Sequence, residues 1–212
     1  MKPFIELRGL AGLASYFRDF SGLSEQAARL SINSTARFAS RLASKRVRAQ
    51  VAFARSYIGA AGESTSKIRV KQYARTGDLA AVIAARDRPT SLARFATGTP
   101  TFGKRGKFAR APRVSVKTAG GSTLVKRGFF IKLRRGAMVT DDQFNIGLAI
   151  RLKKGETLQS TQRASPLGGG AYLLYGPSVA QVFDTVRDDI APEVADFVSF
   201  EFARQFRRLS HG

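Results

Sequence analysis

The sequence predicts an α+β fold with a long N-terminal helix, an antiparallel sheet of about four strands and C-terminal helices. Three observations lead there. Apolar residues recur at helical spacing near both ends, and the middle alternates apolar and polar residues around glycine turns. Helices and strands also do not interleave as βαβ units require. With 212 residues, 43% of them hydrophobic, and 16 Phe, the chain can bury a substantial core. The expectation is one domain over 1–212, read as a helical arm (1–60), a basic sheet with loops (61–163) and a connector with helices (164–212).

Residues 4–7 read as a short strand. Leu10, Leu13, Ala14, Phe17 and Phe20 then keep helical spacing. A second helix starts near Ser24, which can cap it with Glu25 in the first turn, and continues without Pro or Gly to about Ile58. Leu30, Phe38, Leu42 and Phe53 supply its apolar bulk. Arg37, Arg41, Lys45 and Arg48 step along its surface as a basic stripe, which suits solvent and DNA equally. The period over 63–75 fits helix or strand. DLAAVIAAR (78–86) reads as a strand broken by Arg88, Pro89 and Thr90, and 98–113, rich in Gly, Pro and cations without an acid, reads as a loop.

VSVKTAGGSTLVKRGFFIKL then alternates around AGGS at 119–122, a hairpin pattern in which Gly120 and Gly121 can supply positive φ. FNIGLAIRL (144–152) is a further strand. The triglycine 168–170 reads as a flexible connector, since it lacks the Lys and Ser/Thr of a phosphate-binding loop. VAQVFDTVRDDI forms a helix that stops near Pro192. A last helix follows, with Glu193 and Asp196 at its positive end and Arg204, Arg207 and Arg208 at its negative end.

Thirty-six Lys and Arg against 15 Asp and Glu give a formal charge of +21, with a pI near 11.4. Arg, suited to bidentate phosphate contacts, supplies most of the excess, so a polyanion is the expected partner. The charge is segregated: 61–139 is strongly basic, whereas 176–212 carries more acids than bases, among them Asp184, Asp188, Asp189 and Glu201. An acidic C-terminal helix can therefore meet a basic surface on this chain or on a neighbouring copy, and a head-to-tail contact of that kind closes into rings. No zinc-finger spacing, helix-turn-helix or aromatic-interleaved strand accompanies the cations. The contact expected is sequence-nonspecific binding to duplex phosphates.

Chemistry is expected to be absent. The chain has no Cys, which excludes disulfides and thiolate catalysis. Its single His, His211, lies in the tail, and Ser165 and Ser178 have no His to activate them. Asp141 and Asp142 read as a turn rather than a Mg²⁺ site. The expectations are therefore no enzyme, no cofactor and no metal. Glu6 and Arg8 stand where a secretion signal needs an apolar run.

ASPLGGGAYLLYGPSVAQVF (164–183) carries no charged side chain. It is about as long as a membrane span, yet Pro166, Gly168–Gly170, Gly176 and Pro177 would strand backbone groups in lipid, so no membrane partner is expected. Burial explains the missing charge. Tyr172, Leu173, Leu174, Tyr175, Gly176, Pro177 and Ser178 are expected to form a hinge and docking strip between subunits.

LYGPSV (174–179), with LRGLAGL near the start, SINSTARFASR in the long helix, SLARF at 91–95 and PRVSVKTAGG leading to GFFIKL, resembles the phage minor tail protein Z or tail completion family over essentially the whole chain. The family often has a His-containing segment after the aromatic strand; GFFIKLRRG and NIGLAIRLKKG stand there without one. The resemblance implies a virion structural protein, assembled in the host cytoplasm and placed at the head-proximal end of a long tail. It further implies a homo-oligomeric ring, six copies being common in such tails, with other tail and neck proteins as neighbours and double-stranded DNA in the lumen. Lys104, Arg105, Lys107, Arg110, Arg113, Lys126, Arg127, Arg134 and Arg135 are the residues expected to face that DNA. An independent nucleic-acid-binding protein without sequence preference is the competing expectation.

Overall fold

A computed structural model describes residues 5–7, 22–60, 65–97, 111–133, 145–153, 155–158 and 163–211. The chain is a mixed helix-and-sheet protein in which all the described strand pairs are antiparallel. It divides into two compact units. Unit 1 holds the described residues up to Arg48, Arg55–Arg88 and those from Val179 on; unit 2 holds Ala49–Ala54 and Pro89–Ser178. Nearly all of the long N-terminal helix and the whole C-terminal helix thus fall in unit 1.

Unit 1 is built on a three-stranded sheet in the order β1 (Ile5–Leu7), β3 (Ala81–Ala85), β2 (Ile68–Gln72). All five residues of β3 are buried, as befits a central apolar run. The ambiguous segment before Arg75 resolves as β2, because Ile68 and Val70 pair with Ala85 and Ile83.

Helix α1 (Gly22–Gln50) buries a face of small residues: Ala27, Ala28, Ser31, Thr35, Ala36, Ala39, Ser40, Ala43 and Ser44, with Ile32 and Val47 as its larger members. Small side chains let the helix backbone approach its neighbours closely. Ser40 Oγ donates to the Ile68 carbonyl at 3.2 Å, and the Asn33 amide both donates to and accepts from Ala74. Ile32 and Ala36 complete a core with Ala74 and Ala81. Of the large residues expected to supply bulk, Leu30, Leu42 and Phe38 are only half-buried, Phe38 stacked on Phe197 at 4.2 Å, whereas Phe53, beyond the helix, is buried.

The helix ends eight residues earlier than its composition suggested. Gln50 accepts from the Thr118 amide, Val51 bridges Lys117 and Ala52 donates to Val116, so strand-type pairing competes successfully with further helical turns. Only the four-residue α2 (Arg55–Ile58) follows. The short helix expected over 10–20 lies outside the described residues.

Helix α3 (Val179–Ser210) runs unbroken through Pro192, against the expected stop. The proline deletes the bond to the Asp188 carbonyl, a cost of about 3 kcal/mol. Burial of Val182, Phe183, Val186, Ile190 and Val194 on one stripe offsets it. Contacts Ser34 to Glu201, Phe38 to Phe197 and Arg46 to Glu193 climb α1 as they descend α3, so the two helices are antiparallel.

Unit 2 contains a sheet in the order β10 (Arg163–Gly168), β11 (Ala171–Gly176), β9 (Asn145–Arg151), β8 (Gly128–Leu133), with β4 (Thr90–Ser91) also paired to β11. A second sheet joins β5 (Ala96–Thr97), β6 (Arg113–Val114) and β7 (Thr123–Leu124). The strand expected over 144–152 and the hairpin around 119–122 are both present. Gly120 and Gly121, however, do not take positive φ. The left-handed residue in this region is Arg127, φ 60°, in the turn into β8. Nor is the triglycine a flexible connector: Gly168, Gly169 and Gly170 all have positive φ and form the β10–β11 hairpin turn.

Candidate nucleic-acid interface

Unit 2 concentrates cations with almost nothing to oppose them. Its described basic residues are Arg94 in the 3-10 turn Leu92–Phe95, Arg113, Lys117, Lys126, Arg127, Lys132, Arg151, Lys153 and Arg163. All nine are exposed, and Glu156 is the one described carboxylate among them. Antiparallel pairing explains the placement: the cations sit in turns and near strand ends, where their charged heads reach water while apolar neighbours pack below.

Glu156 is fully committed. Arg127 Nη1 donates to its Oε2 at 2.7 Å, and the Lys153 amide donates to the same oxygen at 2.8 Å. The Arg127 hydrogen bond, with that amide, pulls the Glu156 carboxyl below its ordinary range, and Glu156 in turn raises the Arg127 guanidinium. A bulky residue at φ 60° is disfavoured, and the ion pair with the turn holds it there.

Of the cations expected from sequence, Lys126 and Arg127 share one turn and Arg113 lies on β6, its Nε donating to Ser122 Oγ at 3.0 Å. Lys104, Arg105, Lys107, Arg110, Arg134 and Arg135 lie outside the described residues. Arg94, Lys117, Arg151, Lys153 and Arg163 join the set without having been singled out. Arg151 is further oriented over the Phe129 ring, 6.0 Å from its centroid. Arg151 and Arg163 are lone cations at strand ends, and Arg94, Lys117 and Lys153 sit in turns between elements, so no run of charge in the sequence marks them as one set.

The docking strip needs correction. Tyr172–Gly176 belongs to β11, a central strand flanked by β10 and β9. Leu173 and Leu174 are 6% and 5% exposed, Ser178 is fully buried, and a Cβ on Gly176 would come within 2.7 Å of Phe95 Cε2. These side chains are consumed by the chain's own fold, which removes them from a subunit interface. Only Tyr172, Tyr175 and Pro177 keep half-exposed surface.

Unit 1 treats its charges differently. Arg187 lies between Asp184 at 3.6 Å and Asp188 at 3.4 Å, and Arg46 reaches Glu193 at 2.7 Å. The acidic helix thus meets a basic one within this chain. Glu201, 3% exposed, accepts two bonds from Arg204 and one from Gln205, and its carboxyl is held down to about 2 by Arg204 first.

Asp141 and Asp142 lie outside the described residues, and His211 is exposed beyond α3. No group of three metal-binding side chains occurs among the described residues, and none of the described helices is long and apolar enough to cross a membrane. No protein-family model, curated protein or solved structure matches the chain.

Proposed function

We propose that this chain is a virion structural protein at the head-proximal end of a long phage tail, where it forms a ring needed for tail completion and head–tail joining. The sequence resemblance suggests the location. The observation that carries the DNA part is the exposed cationic surface of unit 2: among its described residues, nine basic side chains against one carboxylate that is already paired. Such a surface attracts phosphates without reading bases, which suits a protein beside a genome of arbitrary sequence. No catalytic role is part of the reading.

Imaging of the purified full chain, alone and with neighbouring tail or neck proteins, tests it. Rings are expected, and a chain that stays monomeric beside its partners overturns the reading. Replacing Lys104, Arg105, Lys107, Arg110 and Arg113 with Gln separates the roles of that segment: lost duplex binding with intact rings marks a DNA surface, whereas lost rings mark an interface. The same cations favour a second reading, an independent nucleic-acid-binding protein without sequence preference. It requires a monomer whose duplex affinity falls steeply with salt.

A further inference from the structure

α1 carries a row of cations that the described carboxylates leave unanswered. Arg37, Arg41 and Lys45 are exposed and four residues apart, so they line one helix face about 6 Å from one another. Among the described residues none of the three has an ion pair. Several carboxylates of the same unit are engaged elsewhere: Glu193 with Arg46, Glu201 with Arg204, Glu25 with the Gly77 amide at 2.7 Å and Asp78 with Gln72 at 2.9 Å. The contrast falls within a single turn. Arg46 lies on the flank facing α3 and is neutralised, while Lys45 beside it stays bare.

One member of the row is also oriented in advance. The Arg37 guanidinium lies over the Tyr73 ring, 5.3 Å from its centroid. Stacking fixes the plane of the group and leaves its N–H edge able to donate two parallel bonds, the geometry a phosphate accepts. A straight row about 12 Å long matches a linear polyanion better than a compact acidic group, since a duplex presents about one charge per 1.7 Å of axis with both strands counted.

We propose that the α1 row Arg37, Arg41 and Lys45 is a second binding surface for the backbone of duplex nucleic acid, additional to the cations of unit 2. It rests on the polyanion part of the reading above and not on the ring or the virion. No base contact is involved, so the surface adds affinity and salt dependence without sequence preference.

The test is a salt titration of full-length protein on a short mixed-sequence duplex, followed by fluorescence anisotropy. R37Q/R41Q/K45Q is expected to weaken binding and to reduce the slope of log K against log salt by about 2.7, three phosphate contacts at 0.9 each. R37K/R41K, which keeps the charges, is expected to retain the slope. R94Q/R151Q/R163Q in unit 2 should lower the slope separately, and the two sets should add. An unchanged slope in the α1 variant, with a reduced one in the unit 2 variant, overturns this proposal and leaves the polyanion reading standing. Wild-type protein that fails to bind duplex overturns both. Displacement of the duplex by polyglutamate at equal charge concentration overturns the proposal in favour of an acidic protein partner. Should the triple variant misfold by circular dichroism, the single variants R41Q and K45Q decide, each expected to lower the slope by about 0.9.

Discussion

In unit 1, acids and bases find one another: Arg46 meets Glu193, Arg187 lies between Asp184 and Asp188, and Glu201 is wrapped by Arg204 and Gln205. In unit 2, nine exposed cations share one described carboxylate, which is spent on pinning Arg127. The difference separates two uses of charge. Paired charges orient helices and contribute little net stability at a surface, whereas like charges gathered on one surface repel each other and are retained at a cost. The ion pairs of unit 1 therefore read as architecture, and the row on α1 is not among them. The excess of cations in unit 2 is the feature on which the proposed polyanion contact rests.

The largest expected effect probes how separate the two units are. Phe183→Ala empties a fully buried site in unit 1 and should cost about 3–5 kcal/mol. Hydrogen exchange should show β2 and β3 amides losing protection more than those of β8 and β9. An equal loss in both would show that the units unfold as one, and the contrast between them would then be electrostatic only.

Acid sharpens the comparison next. The Glu201 carboxyl is held at about 2 in the folded protein, below its unfolded value, so its contribution is fully present above the unfolded value and fades as pH falls toward about 2. The loss is expected to reach up to about 3 kcal/mol and to fall on unit 1. Denaturant titrations between pH 6 and pH 2 measure it, with E201Q as the variant in which that acid dependence should flatten. A wild-type profile as flat as that of E201Q would show that the Arg204 pairing contributes nothing.

The smallest effect belongs to Arg46→Ala. Its bond to Glu193 joins two half-exposed side chains, and removal should cost no more than about 1 kcal/mol, less at high salt. A larger loss in thermal unfolding would mean that helix pairing in unit 1 depends on this contact more than on the Phe38–Phe197 stack.

Local pattern made several elements legible before any coordinates. β3 and β9 follow from short apolar runs bounded by breakers, and Glu25 falls in the first turn of α1 as expected, although the helix starts at Gly22 and places Ser24 inside it rather than at its cap. What pattern could not show depends on distant partners. α1 ends at Gln50 because residues 116–118 capture the following backbone, a competition absent from helix propensity. Pro192 stays inside α3 because its neighbours are buried on a stripe that helix-breaking rules do not weigh. The core face of α1 was hidden by its smallness, since Ala and Ser carry little hydrophobic signal. The uncharged stretch is buried only in part: Pro166 to Gly170 are exposed, whereas Leu173, Leu174 and the start of α3 are buried, β11 lying between β9 and β10. The cations of unit 2 are far apart in sequence and were only partly singled out.

The division of the chain also sets an order of events during synthesis. Every residue of unit 2 precedes Val179, while unit 1 is incomplete without α3, which meets α1 at Phe38–Phe197 and Arg46–Glu193. At roughly 5–20 residues per second, the ribosome takes about ten seconds between the end of α1 and the start of α3. Through that interval every residue of unit 2 is already available to pair its strands, while unit 1 still waits for its last helix.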